Sequence, residues 1–236
     1  MSDYLDMLAS FGVSGAHPGG MGLTKAVLAK ADIDPELPIL DAGCGTGQTA
    51  AYLSHLQFPV SALDSDAVMI DKAIKRFEKE RLSIPAFHAY IEEMPFQNES
   101  FACVLTESVL SFTQLGSALK EIRRVLRPGG MLIGIEVSLA NGELTDEEKK
   151  EIMDFYGFTR LYDQKDWVRT LRKEGFSQVE IIPAILEDIA DLEEAAAEMD
   201  LSPDISEKAY QTMEQHELLL AKYQQSLDHI IFICRL

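Results

Sequence analysis

Pro38-Ile39-Leu40-Asp41-Ala42-Gly43-Cys44-Gly45-Thr46-Gly47-Gln48 decides how the rest of the chain is read. Ile39–Ala42 has the look of a short buried strand, three glycines follow at alternate positions, and a helical segment opens after them. Glycines in such a loop let the backbone approach a ligand more closely than any side chain allows. The helix beyond contributes N–H groups that its own backbone cannot satisfy. The spacing is G-x-G-x-G. A dinucleotide fingerprint needs a third glycine where this chain has Gln48, which weakens an NAD-dependent oxidoreductase reading, and the Gly-Lys-Ser/Thr of a phosphate-binding P-loop is absent.

Outward from this loop, Val60-Ser61-Ala62-Leu63 is a second strand ending at Asp64, 21 residues past Gly43. In a doubly wound fold an acid at that place accepts hydrogen bonds from the ribose of an adenosine ligand. From Pro38 to about Pro183 short apolar runs alternate with helical-period segments, the pattern of βα units on a parallel sheet. Further strands are expected at Ala86–Tyr90, Phe101–Thr106, Met131–Val137, Val179–Ile182 and Ile230–Cys234. Helices are expected at about Met21–Ala31, at Asp66–Arg81 with its one-sided apolar stripe, and at Leu115–Leu126, which stops at Arg127-Pro128-Gly129-Gly130. Thr145 and Glu148 form a capping box for Asp146–Phe155, and Asp163 caps Gln164–Glu174 ahead of Gly175.

The composition suits an ordinary globular protein: 236 residues, 47% hydrophobic, 25% charged. Cys44, Cys103 and Cys234 lie far apart, which argues against a thiol zinc site or a disulfide framework and for a reducing compartment. No apolar run approaches the roughly 18–20 residues of a membrane span, and the N-terminus is acidic, unlike a secretion signal. A cytoplasmic location is expected. With 21 Lys and Arg against 39 Asp and Glu, the formal net charge is −18, which disfavours nucleic acid as a partner. Nothing in the sequence selects an oligomeric state.

Two regions fall outside the alternation. Residues 1–37 carry the Gly-rich stretch Gly12–Gly20. Residues 184–227 read as a helical insertion before the last strand, with Pro203 suited to the first turn of a new helix. Between Glu187 and Glu217 stand eleven acids and one base. That segment is either a solvated helical pair or a cap over a pocket, since long insertions in compact domains are often lids.

The motifs Asp41-Ala42-Gly43-Cys44-Gly45-Thr46-Gly47, Asp64, Glu92-Glu93-Met94-Pro95-Phe96 with Glu99-Ser100-Phe101, and Leu126-Arg127-Pro128-Gly129-Gly130 together resemble the class I S-adenosylmethionine-dependent methyltransferases. They are most similar to the small-molecule subgroup of the ubiquinone/menaquinone-biosynthesis type. The resemblance covers residues 38–137 by motif and the remainder by strand pattern. It implies a single α/β domain with a doubly wound, Rossmann-like seven-stranded sheet, mostly parallel with an antiparallel last strand. It also implies S-adenosyl-L-methionine as cofactor and a small-molecule acceptor.

Carried over residue by residue, Asp41 lies near the methionine end of that cofactor. Gly43, Cys44, Gly45, Thr46 and Gly47 wrap the methionine moiety. Asp64 takes the ribose and Ser65 stands beside the adenine, which Ile91 and Glu92 flank. The backbone of Thr106 faces the methionine ammonium. The chain departs from the subgroup at Tyr90, where an acid often precedes the adenine pair. This departure keeps open a non-catalytic cofactor-binding or regulatory protein of the same fold.

Methyl transfer from a sulfonium is an in-line displacement with an excellent leaving group, so positioning and desolvation carry most of the catalysis. A protonated nucleophile still needs a base. His17, Glu107 and Glu136 are the candidates. Tyr4, Phe11, Tyr156, Phe158, Tyr162 and Trp167 are candidates for an apolar acceptor pocket, or for helix packing. Leu218–Leu220, Ala221 and Tyr223 read as a core-facing stripe.

Overall fold

A computed structural model describes residues 2–140, 144–183 and 198–236. Its centre is a seven-stranded sheet of order β3-β2-β1-β4-β5-β7-β6. The strands are β1 (Ile39–Ala42), β2 (Val60–Asp64), β3 (Ala86–His88), β4 (Phe101–Glu107), β5 (Leu126–Leu139), β6 (Gln178–Ile182) and β7 (Leu227–Arg235). Strands β1 to β5 pair in parallel, and β7 runs antiparallel to both β5 and β6. This is the expected architecture.

Helices α1 (Asp3–Phe11), α2 (Gly20–Ala31), α3 (Gln48–His55), α4 (Ala67–Glu80), α5 (Leu115–Val125), α6 (Asp146–Tyr156), α7 (Gln164–Lys173) and α8 (Glu207–Tyr223) surround the sheet. Residues alternate between two cores along each strand. Ile39, Cys103, Leu105, Ile133 and Ile231 face α2, α3 and α4, while Leu40, Val104, Leu132 and Phe232 face α5 and α7. The caps form as the sequence foretells: Asp66 accepts from the Val68 and Met69 N–H groups, Asp163 from Asp166 N–H, and the Thr145–Glu148 box closes in both directions.

Four local expectations are corrected. Helix α1 is unforeseen: Ser2 caps it and Gly12, at φ +59°, ends it, so a nine-residue helix stands before the Gly-rich stretch. The third strand stops at His88 rather than Tyr90. The fifth strand begins at Leu126, the last residue of the expected helix, and runs through the expected turn; Arg127–Gly130 bulge opposite Ala102 between the pairs Phe101–Leu126 and Cys103–Met131, with Gly129 at φ +74° absorbing the extra residues. Pro203 does not open a helix, because Ser206 caps α8 three residues later. Within the expected insertion, residues 184–197 lie outside the described residues.

The N-terminal segment and the stretch before α8 pair with each other. Ser14 N–H donates to the Glu198 carbonyl at 2.8 Å, Asp200 N–H to Gly12 at 3.0 Å, and Ser202 N–H to Ser10 at 2.9 Å. Helices α1, α6 and α8 share a third apolar cluster built on Tyr4, Met7, Ile152, Tyr156 and Tyr223. On α8 the expected stripe is partial: Tyr223 is buried there, whereas Leu218 and Leu220 are exposed.

Candidate active site

Parallel strands β2, β1 and β4 end together, with Asp41 level with Leu105 of β4 and Ala62 of β2. The order β2-β1-β4 is the switch point of the sheet, where connections leave to opposite faces and ligands bind beyond the carboxyl ends. A cavity of about 960 Å³ opens there, at the upper end of the roughly 300–1,000 Å³ usual for small-molecule sites.

Its floor is the Gly-rich loop. Gly43, Gly45 and Gly47 all have φ between +52° and +85°, a region in which only glycine is unstrained. The three glycines do different work. A Cβ on Gly43 would stand 2.2 Å from Val109, and one on Gly47 would meet the Phe77 ring at 2.7 Å, whereas one on Gly45 would meet nothing within 4 Å. Gly43 and Gly47 therefore serve close packing, and Gly45 leaves open space. Gly43, Cys44, Gly45 and Thr46 line the cavity; Gly47 does not.

Asp64 ends β2 and lines the same cavity beside Ser65. Its Oδ2 accepts from Gly45 N–H and its Oδ1 from Asp66 N–H, each at 2.9 Å. Burial pushes this carboxyl upward while those N–H donors pull it back. Ile91 and Glu92 also line the cavity, and Glu92 is tied to the Gln114 N–H at 2.9 Å. Tyr90 stands beside them, largely exposed.

Asp41 and Thr106 sit behind the wall rather than in it. Both are buried, and Asp41 Oδ2 and Thr106 Oγ1 have no hydrogen-bond partner among the described residues. Burial, then the neighbouring charges of Glu107 and Asp64, hold the Asp41 carboxyl well above the usual range. Cys44 is likewise held up as a thiol by burial, then by Asp41.

Glu107 projects into the cavity from the end of β4. Its Oε2 accepts from the Thr49 hydroxyl at 2.7 Å, its Oε1 from the Thr24 hydroxyl, and His17 Nε2 lies 3.4 Å from Oε1. His17 Nδ1 faces the Pro18 carbonyl at 3.1 Å. Two candidate bases are thus brought together, joined through the Thr24 hydroxyl, which lies 3.2 Å from His17 Nε2. Glu136, the third, is placed elsewhere. It is fully buried in β5, accepts from the N–H groups of Val109 and Leu110 at 3.2 and 3.0 Å, and does not line the cavity. Burial raises its carboxyl to about 7 despite those donors.

The opposite wall is aromatic. Tyr4 of α1 meets Tyr156 of α6 edge to face at 4.8 Å, and Phe112 meets Phe158 at 4.9 Å. Burial lifts the Tyr156 phenol to about 12 and raises that of Tyr4 as well, so both stay neutral. Of the other expected aromatics, Trp167 packs on Phe232 across the opposite face of the sheet with Tyr162 against it, and Phe11 packs on Tyr210. None of those three lines the cavity.

A matching family model, described as a methyltransferase domain, covers residues 39–130. The chain is 53% identical over 233 residues to the uncharacterized methyltransferase YodH of Bacillus subtilis, with 99% of each chain covered. The chain belongs to the class I S-adenosylmethionine-dependent methyltransferases. This methyltransferase is also 31% identical over 134 residues, 54% of its length, to the ubiquinone/menaquinone biosynthesis C-methyltransferase UbiE of Rhizobium johnstonii, half of whose length is covered. Among solved structures, phosphoethanolamine N-methyltransferase 2 of Haemonchus contortus in complex with S-adenosyl-L-methionine superposes with a TM-score of 0.73 at 20% identity. It covers 99% of this chain and 56% of that one, a likeness of fold.

Residues missed from the sequence are those that hold others in place. Arg76 of α4 donates from Nε to the Thr46 carbonyl at 2.9 Å, and from one terminal nitrogen to Ser14 Oγ at 3.1 Å and Glu198 at 2.7 Å. Ser14 in turn lies 2.6 Å from the Thr46 hydroxyl. Lys72, one turn earlier, donates to the Asp200 carbonyl. The only sequence signal for them was a base on the buried flank of an amphipathic helix.

Proposed function

We propose that the methyltransferase transfers a methyl group to an apolar, aromatic-bodied small molecule held between the Gly-rich loop and the aromatic wall. One observation carries the reading: Asp64, the Gly loop, Glu107 and the Tyr4–Tyr156 pair all line one continuous cavity. The residues suit an adenosylated amino acid. Gly45 leaves room for close approach, Asp64 offers a carboxylate to ribose hydroxyls, Ile91 and Ser65 flank an adenine, and Glu107 faces the cavity with a charge that suits an ammonium. When bound, the cofactor supplies an activated methyl group on a sulfonium. The chain's own part is to orient both molecules and exclude water, which lowers the barrier by placement and desolvation.

We further propose that residues 1–37 and the segment before β7 act as a two-part cap. The 10–14/198–202 pairing and the α1–α8 packing support this, and so do Leu5, Met199 and Met213, which line the cavity from those elements. The acidic charge of the insertion favours neutral or cationic acceptors over anionic ones within about 8–10 Å. Free, buried cysteines agree with a reducing, cytoplasmic setting. Among the described residues, no helix is long and apolar enough to cross a membrane.

Calorimetry with S-adenosylmethionine and NAD, followed by release of S-adenosylhomocysteine against a pool of aromatic metabolites, tests the proposal. Tight binding of the first ligand, none of the second, and turnover with a neutral aromatic acceptor are expected. Binding without turnover across the pool would favour the non-catalytic reading.

A further inference from the structure

Three histidines line the cavity: His17, His216 and His229. Both ring nitrogens of His17 face oxygens, as described above. His216 Nδ1 lies 3.1 Å from the Tyr156 hydroxyl. His229 differs. Its Nδ1 lies 3.3 Å from Asp228 Oδ1, and its Nε2 is buried with no hydrogen-bond partner among the described residues.

The sheet explains where His229 stands. Glu107 of β4 is level with Ile135 of β5, which is level with Ile231 of β7, and two residues further along Val137 is level with His229. Side chains alternate with a period of two, so Glu107, Val137 and His229 share one face at the ligand-binding edge. Two strand spacings, about 10 Å in all, separate His229 laterally from Glu107. His229 therefore stands on the same sheet face as Glu107, two strands further along the cavity.

A second unpaired polar atom lines the same cavity. Ser108 follows Glu107 at φ +55°, lines the cavity, and has a buried Oγ without a hydrogen-bond partner among the described residues. A serine held in the left-handed region is strained, and such strain persists where surrounding structure fixes it, often at functional sites. Here the Ser108 N–H bond to the Ile135 carbonyl, 2.7 Å, fixes it. Buried polar atoms are normally paired, so two unpaired ones in a largely apolar wall mark where a ligand's polar group belongs.

We infer that His229 is the catalytic base of the acceptor half-site, that Ser108 hydrogen-bonds the acceptor oxygen, and that the acceptor is an aromatic hydroxyl compound. This inference rests on the methyl-transfer reading above. Asp228 Oδ1 accepts from the His229 backbone N–H at 2.7 Å and lies on the Nδ1 side of the ring; in the tautomer with its proton on Nδ1, toward that carboxylate, Nε2 carries the lone pair. It takes the hydroxyl proton of the acceptor as the oxygen's electron pair forms the new O–C bond. The S–C bond breaks with its electrons left on sulfur, and the imidazolium later gives its proton to water. The aromatic ring packs against the Tyr4–Tyr156 and Phe112–Phe158 pairs.

The test uses the full chain saturated with S-adenosylhomocysteine, titrated with 4-nitrophenol and with 2-naphthol, whose ionised and neutral forms differ in absorbance and fluorescence. The unmodified protein is expected to bind at least one probe as the phenolate at a pH where the free probe is neutral. His229→Gln should bind S-adenosylhomocysteine within 2-fold of the parent and lose at least 10-fold of the phenolate signal. In His229→Ala, added imidazole should restore it. Ser108→Ala should weaken probe binding about 5-fold or more. A phenolate signal unchanged in His229→Gln, or no phenolate with either probe on a protein that binds S-adenosylhomocysteine, overturns the assignment. Failure of the unmodified protein to bind S-adenosylhomocysteine would overturn the methyl-transfer reading and this inference with it.

Discussion

The carboxylate of Asp64 accepts a hydrogen bond from the Gly45 N–H at 2.9 Å, so the acid that ends β2 also fixes the loop that leads into α3. The two parts of the site are one unit before any ligand enters. In the proposed placement of the cofactor, a ribose hydroxyl shares an oxygen that already shapes the loop.

Asp64→Ala is therefore expected to weaken S-adenosylmethionine binding by about 1.5–3 kcal/mol, the scale for hydrogen bonds to a charged group. It should also speed hydrogen exchange at the Gly45 amide. Calorimetry and exchange mass spectrometry read the two effects separately. Unchanged affinity in a folded variant would remove Asp64 from the site.

Glycine substitutions should divide by what each Cβ meets. Gly43→Ala drives a methyl into Val109 and is expected to lower stability by roughly 1–3 kcal/mol, the usual cost of overpacking. Gly45→Ala, with open space around it, should lose less stability yet bind the cofactor poorly; Gly45→Val should abolish binding. Paired urea melts and binding isotherms check this. Normal binding by a folded Gly45→Val protein would mean that the loop does not approach the ligand.

Arg76 joins three segments that are remote in sequence: the Gly loop at Thr46, the N-terminal stretch at Ser14 and the far segment at Glu198. Arg76→Ala should make the chain cleavable near residues 12–19 under limited proteolysis while leaving the sheet folded. Arg76→Lys should protect only in part, because one ammonium cannot reproduce the planar fork. Equal protease resistance in all three proteins would show that the clamp is not what holds the cap.

Glu136 gives a pH signature. Its carboxyl is raised to about 7 in the folded protein from an ordinary 4.5. The folded state thus binds a proton that the unfolded state has released, and this contribution is full below pH 4.5 and lost as the pH rises to 7. At about 1.36 kcal/mol per unit, the loss is on the order of 3 kcal/mol. Glu136→Gln should flatten the stability profile between pH 4.5 and 7 and melt higher than the parent at pH 8. An equal fall across that window in Glu136→Gln would show that Glu136 is not the group responsible.

The proposed cofactor half was legible because its chemistry is local. A strand, three glycines and a helix start fall within a dozen residues, and Asp64 announces itself at the end of an apolar run. The other side of the cavity was legible only in part: Tyr4, Tyr156 and Phe158 stood out as aromatics and do line it, but the contacts that assemble it did not. Ser14 meets Glu198, and Tyr156 meets His216, through contacts that no periodicity encodes. Glu136 looked like an acid at a strand end because sequence does not say which way a strand residue points; it points at the Val109 and Leu110 N–H groups. His229 was passed over as the residue before a core strand. Helix α1 was hidden by its length, although Tyr4, Met7, Leu8 and Phe11 carry the spacing of one helix face.

The pairing of residues 10–14 with 198–202 also sets an order of assembly. Ser14 waits for a partner 184 positions further along, whereas β1, β2 and β4 find theirs within the first half of the chain. Long-range pairings close late, and chains fold from their first-made part during synthesis. The β1–β4 part of the sheet, the proposed donor-binding half, should therefore be complete on a ribosome that has not yet made residues 198–223, and the first helix to be translated should be among the last to dock. Pulsed hydrogen exchange during refolding should find Leu40 and Val104 protected before Ser14, and simultaneous protection would contradict this sequence of events. On the proposed reading, a truncated nascent chain of this kind would hold a methyl donor with no wall to keep water from it.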